Sequence, residues 1–564
     1  MKLIGMLLSA LGWWCSLSSW ALDLPQFPQD LVAPLDIPLN LAGSFGELRS
    51  QHYHAGWDLT TQGKVGLPVY AIADGEVVRV KIAPGGYGWV LYISHPKWGL
   101  TSVYAHLSDF RADIAEWMNK QQYSQKNYSV DINPPKGTFL VKKGEVIGKS
   151  GNSGSSSGPH VHFEIRNTQT EHPFDLRLFG YKLLDVTRPM IERLWMMPAL
   201  VEGKPVSIDF NFGGESFGKE DSVFEVQGQF GVGVETFDYV LSAENKCGVQ
   251  HIITLLDGNV ISEWQMDSID FDKTRHINSH IFKYPKVTAN HFHRCYSLPG
   301  VPAGADHFLF KEKDGWVTIK DTLVHAITVM VADFSGNATC VYAYVQNREK
   351  DPIKNIQQPV IPWDKGGVWN GNKVSLEIPK NALYQDWVVQ CAEGEEKYNG
   401  NPTPYFQFPD DFACAEKCIL KLNQSVSDIQ KTGWWNENKK EWYPLDESSS
   451  TKIALPGKYW LLTDSKAPTL EIDQKQKIPF EFANVSSQFY AWVRDDISGI
   501  KSIDGYINNE WVLLCYDAKN KLVYLDPKLG IKAPGKIKIK MEDKAGNVAQ
   551  GEWNLSAKKS LLKN

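Results

Sequence analysis

Gly154-Ser155-Ser156-Ser157-Gly158-Pro159-His160-Val161-His162-Phe163-Glu164-Ile165 joins two kinds of sequence. A Gly/Ser loop runs into a segment in which polar and apolar residues alternate. Alternation with period two marks a strand with one buried face. It sends Val161, Phe163 and Ile165 toward a core and leaves His160, His162 and Glu164 together on the other, exposed face. Two imidazoles on one strand face, beside a mobile loop, suit a metal site or an acid–base pair. Alone, such a pattern is more often an ordinary polar strand face, so the rest of the chain has to decide.

The chain has 564 residues, enough for three to five domains. Its 43% hydrophobic and 22% charged content is that of globular protein. A net charge of −6 argues against a nucleic-acid partner. Residues 1–21 read as a secretory signal peptide: Lys2 is the positive start, Leu3 to Leu17 is mainly apolar, and Ser19 and Ala21 are the small residues before a cut after Ala21. The mature chain is therefore expected to be exported, to the periplasm, the cell envelope or the medium. Cys15 goes with the signal. The other seven cysteines lie beyond residue 240, so the first domain must fold without disulfides. Disulfides or buried thiols are expected among them, with at least one thiol left over or bridged between molecules.

Residues 22–42 are a proline-rich lead-in. His54 and Asp58 follow, four apart. Gly56 and the Leu59-Thr60-Thr61 run favour strand and turn over helix, so the pair reads as two ligands on either side of a bend. Gly66 to Ala73 leads to Asp74-Gly75, a hairpin signal, and then to Glu76–Val80. Trp89–His95, Thr101–Leu107 and Val146–Gly148 continue the series of short strands with Gly-rich turns, which indicates an all-β sheet or barrel-like core. Residues 109–137, with Trp117, Tyr123 and Tyr128, read as a long loop serving as wall or lid. Beyond Phe179 two stretches share a pattern, one ending in Asp333-Phe334-Ser335-Gly336-Asn337, the other in Asp543-Lys544-Ala545-Gly546-Asn547. They read as a repeated Ig-like sandwich, the first copy carrying an insertion, with another β unit between them. The expected organisation is a signal peptide (1–21), a first domain (22–180), a sandwich with insertion (181–350), a β-sandwich (351–466) and a last sandwich (467–564).

The set His54-x3-Asp58, Val103-Tyr104-Ala105-His106-Leu107 and His160-Val161-His162 resembles the M23 (lysostaphin/LytM-type) zinc endopeptidases of cell walls. Gly66-Leu67-Pro68-Val69, Asp74-Gly75, Lys143-Gly144-Glu145 and Gly151-Asn152-Ser153-Gly154 support it, over roughly residues 43–176. A catalytic head on a sandwich tail resembles exported family members of the Bacteroidetes type. The resemblance implies an all-β chain, an M23-type antiparallel catalytic sheet followed by two or three Ig-like sandwiches. It implies one Zn2+ held by His54, Asp58 and His162. His106 and His160 would handle protons, in place of the glutamate base of a His-Glu-x-x-His motif, which is missing. The implied reaction is attack of metal-bound water on peptide cross-links of peptidoglycan, with its peptide stems as substrate and an envelope protein as a partner for the tail. Arg49 and Asn152 are candidate substrate contacts. Glu164 is either a partner orienting an imidazole or half of a surface salt bridge; His52 and His95 read as bystanders. Two rival readings are a catalytically silent wall-binding module that activates another hydrolase, and a surface adhesion array with an accessory protease head. His276-x3-His280 and His291-Phe292-His293, near Cys295, are also metal-capable, but no aspartate holds the matching place, so they read as histidines of the sandwich insertion.

Overall fold

The alternating segment forms the strand His160–Asn167 in the interior of a nine-stranded antiparallel sheet. The computed structural model describes residues 27–555 except 184, 200–204, 211–222, 227, 241–244, 283–290, 348–358, 410–411, 455, 473–488 and 526–534. The expected signal peptide lies outside the described residues. On one side of His160–Asn167 runs Trp57–Thr60, with His162 opposite Asp58. On the other runs Leu100–Ala105, with His162 opposite Ala105. Trp89–His95 and Gly75–Ile82 extend the sheet beyond it. Val161, Phe163 and Ile165 enter the core, as the alternation predicts. The opposite face is covered rather than exposed: His162 and Glu164 are fully enclosed.

Two local expectations change. Residues 109–137 contain the helix Ala112–Gln125, whose Ile114, Met118 and Gln122 are buried at helical spacing. Asp74-Gly75 does not close a hairpin. Pro68–Tyr70 pairs with Val146–Lys149 in a separate three-stranded sheet, while Gly75–Ile82 pairs with Trp89–His95. The Asp74 carboxylate instead accepts from the Lys143 amide at 2.8 Å and pins the next turn.

The described tail is β apart from short helical turns at Thr274–His276, Ile277–His280 and Glu312–Gly315. Two six-stranded sheets hold the strands between Met190 and Asn347. A four- and a five-stranded sheet cover Gly367 to Thr463, and two four-stranded sheets cover Thr469 to Leu555. The head and the first sandwich share one continuous apolar core, with Tyr181 packed edge-on against Trp57 and Phe163. The last sandwich returns to the head: Trp511 meets Tyr123 edge-on at 5.4 Å, and Lys519 donates to the Asn152 and Ser156 carbonyls. All seven cysteines are free thiols, so the disulfides among them are not formed.

Candidate active site

Three lone-pair atoms converge where the central strands meet. His54 Nε2 lies 2.9 Å from His162 Nδ1 and 3.1 Å from Asp58 Oδ1, and His162 Nδ1 lies 2.8 Å from the same oxygen. Ligands ~2.0–2.1 Å from a tetrahedral zinc are about 3.3 Å apart, so the trio is nearly the size of one face of that tetrahedron. All three are buried. Gly56, between His54 and Asp58, lets this segment press against the next strand, because a Cβ there would sit 2.3 Å from the Phe163 carbonyl oxygen.

Outer hydrogen bonds fix which nitrogen of each ring faces inward. His54 Nδ1–H donates to the Ser44 carbonyl at 2.7 Å, which frees Nε2. His162 Nε2–H donates to Glu164 Oε1 at 2.7 Å, which frees Nδ1. Glu164 is fully buried and also accepts from Tyr87 Oη at 2.5 Å and Arg166 Nε at 2.6 Å. It is thus both an imidazole's partner and an ion-pair member, inside the protein rather than on its surface. The second Asp58 oxygen accepts from Arg49 Nη2 at 2.7 Å, leaving one oxygen for the centre.

The electrostatics follow from this packing. Burial pushes His54 down to about 4 and His106 down to about 3, the latter helped by the neighbouring His160 and His162. His162 goes the other way: burial disfavours its charge, but bonds to Asp58 and Glu164 outweigh it and hold the ring up to about 9. Glu164 is held down to about 2 against burial by Arg166 and His162. Behind Arg49, burial pushes the Glu47 carboxyl up to about 7.

Two more imidazoles border the trio. His160 Nδ1–H donates to the Gly158 carbonyl at 2.8 Å, and its Nε2 lies 3.4 Å from Asp58 Oδ1. His106 follows the strand Leu100–Ala105 and adopts φ 59°, a left-handed conformation costing of order 1 kcal/mol in a non-glycine residue. Its Nδ1–H donates to the Ser153 carbonyl at 2.8 Å, and its ring centroid is 4.7 Å from that of His160.

The Ser-rich loop is wired in place. Ser153 Oγ accepts from the Trp89 amide at 2.9 Å and donates to the Leu107 carbonyl at 2.8 Å; Ser155 Oγ accepts from the Gly86 amide at 2.8 Å. Gly154 has φ 71°, and a Cβ there would meet the Gly86 oxygen at 2.4 Å.

Residues 52–123 and 125–175 match the model of peptidase family M23. These residues form a domain of the peptidase M23 type. The M23 domain is 36% identical over 132 residues to the DD-carboxypeptidase/endopeptidase Mpg of Neisseria meningitidis, a match covering 23% of this chain and 24% of that one. It is 33% identical over 128 residues to an uncharacterized metalloprotease of Haemophilus influenzae, covering 22% of each. The chain thus spans about a quarter of the length of the curated relatives it matches. A zinc-containing peptidase from Vibrio cholerae is 26% identical over 28% of this chain and 40% of its own, with a TM-score of 0.20.

The structure brings His54, Asp58, His106, His160 and His162 of the M23 domain together, with Arg49 and Glu164 directly behind them. Asn152 lies in the loop before the central strand, its carbonyl accepting from Lys519. His95 is a buried bystander bonded to Ser102. His280 and His293 contact each other at 3.0 Å against Trp264, while His276 turns to Tyr384; the described histidines of the insertion form no metal cluster. Tyr87 and Arg166 escape sequence reading, although Arg166 continues the alternation of His160, His162 and Glu164.

Proposed function

We propose that the protein is an exported zinc endopeptidase that hydrolyses peptide cross-links of bacterial peptidoglycan. The observation that carries this reading is the convergence of His54 Nε2, Asp58 Oδ1 and His162 Nδ1, with His106 and His160 alongside. The donor set fits zinc: two imidazoles, each with its outer nitrogen held by a hydrogen bond, and one carboxylate oxygen. Bound there, zinc would polarise a scissile carbonyl and make water acidic near neutral pH.

The chain's own residues supply the proton chemistry. His160 and His106 both spend Nδ1–H on a backbone carbonyl, so each keeps Nε2 as an acceptor. His160 Nε2 faces the Asp58 carboxylate and is the group to take a proton from attacking water. Burial and the neighbouring His160 keep a charge off His106, so the proton taken by His160 is the one returned to the departing amine. On the way, that proton donates a hydrogen bond to the oxyanion as it develops, while His106 Nε2 accepts from the attacking water. Glu164 and Arg49 are positioning residues that hold His162 and Asp58 in line.

Digestion of purified sacculi by the zinc-loaded protein, with released muropeptides identified by mass spectrometry, tests the activity. Products cut in the cross-links are expected, and none with His162→Ala. Binding to sacculi without product, together with stimulation of an added hydrolase, would replace this reading with the silent-module one. Export is tested separately, by N-terminal sequencing of protein from the envelope fraction, where a start at residue 22 is expected.

A further inference from the structure

Two groups of three carboxylates sit at the entrances of two sandwiches. Asp185, Asp238 and Asp333 each offer an oxygen within 4.8 Å of the others, and so do Asp464, Asp495 and Asp543. That span fits oxygens around a cation ~2.4 Å from each. Among the described residues, no ion pair reaches any of the six.

The decisive group is Asp238. It is fully buried, and neither carboxylate oxygen has a hydrogen-bond partner. A buried, unpartnered carboxylate facing two others is strongly unfavourable unless it is neutralised. Burial, Asp333 and Asp185 together push its acid up to about 7. Asp333 is raised as well, by burial first.

The two groups are built to one plan. Asp185 and Asp464 each precede a proline by four residues and lie five residues ahead of the first strand of a sandwich. Met190, just after Pro189, pairs with Phe237, just before Asp238. Thr469, just after Pro468, pairs with Arg494, just before Asp495. The third carboxylate begins the Asp-x-x-Gly-Asn turn in both. Asn337 donates its amide to Asp333 Oδ1 at 2.9 Å and its side-chain Nδ2 to Asp333 Oδ2 at 2.8 Å, and reaches the Asp185 carbonyl at 3.4 Å. Asn547 repeats this wiring with Asp543 Oδ1 at 2.8 Å, Asp543 Oδ2 at 2.9 Å and the Asp464 carbonyl at 2.9 Å. The asparagine thus ties the incoming linker to the turn that bears a carboxylate.

We infer that each triad holds one Ca2+ and that the two ions fasten the linkers entering the sandwiches at Asp185 and Asp464. An all-oxygen donor set with no imidazole or thiolate selects calcium over zinc. The sites are structural and separate from the histidine centre. Asp185 lies five residues beyond Gly180, so its ion sets how the first sandwich leaves the head.

The test uses the full chain with zinc already bound, in calcium-free buffer. Equilibrium dialysis against 45Ca2+ up to 5 mM should give two ions per chain. Asp238→Asn and Asp543→Asn should each lower the count to one, and the double variant to zero. Calcium should raise the unfolding temperature of the wild type by several degrees and that of the double variant not at all. Asp238→Asn removes a buried charge at constant shape, so it should fold without calcium at least as stably as the wild type. A wild-type count of zero at 5 mM would overturn the inference. A count unchanged by the substitutions would also overturn it, by placing the ions on surface carboxylates.

Discussion

Glu164→Gln isolates the positioning role argued for this residue. Glutamine keeps the shape, but its amide must choose. Glu164 Oε1 accepts from both His162 Nε2–H and Tyr87 Oη, and Oε2 accepts from Arg166 Nε. The amide oxygen satisfies the first two, so its NH2 faces the Arg166 donor. A buried arginine loses its charged partner, which costs about 3 kcal/mol of stability for a buried pair. His162 keeps an acceptor but loses the negative charge behind it. Loss of such an outer partner lowers metal affinity 10- to 100-fold. Competition with a chromophoric chelator measures the zinc affinity, and urea unfolding of the metal-free protein measures the stability. If stability falls by this amount while zinc affinity stays within twofold of wild type, Glu164 only holds the fold and the argument about His162 fails.

His160→Ala and His106→Ala should each retain zinc while losing 10²- to 10⁴-fold in turnover, since they handle protons rather than bind the ion; loss of zinc in either would reassign that residue to the ligand set. Zinc binding at pH 7 should release about one proton, because Asp58 and Glu164 keep His162 protonated up to about 9 while His54, at about 4, is already neutral. The affinity should then fall about tenfold per unit as pH drops from 9 toward 4, and calorimetry in buffers of different ionisation enthalpy would detect a contradictory count of zero. Gly154→Ala forces a side chain into a left-handed position 2.4 Å from the Gly86 oxygen, so it should cost at least about 2 kcal/mol and lower turnover with zinc retained. Wild-type stability and rate would show that the Ser153 anchor of His106 does not depend on that loop.

Four of the five central residues are legible in the sequence through strand alternation and the spacing around Gly56, and His106 only through the motif Val103-Tyr104-Ala105-His106-Leu107. His160 and His162 share a face by period two, and His54 and Asp58 flank one glycine. The network behind them is assembled through space. Tyr87 comes from a glycine-rich turn and meets Glu164 only after the sheet forms, so no spacing announces it. The helix Ala112–Gln125 is hidden by its polar composition, although Ile114, Met118 and Gln122 fall on one helical face. In the tail, the repeated Asp-x-x-Gly-Asn turns are visible in sequence. Their partners Asp185, Asp238, Asp464 and Asp495 come from linkers and strand ends elsewhere in the chain and join them only in the folded sandwiches.

Turnover of a defined cross-linked stem-peptide dimer, measured beside zinc content in wild type, His162→Ala and His160→Ala, tests the central claim most directly. The account predicts one zinc and cleavage for wild type, neither for His162→Ala, and zinc with little cleavage for His160→Ala. Cross-link cleavage by His162→Ala protein shown to be free of zinc would contradict it.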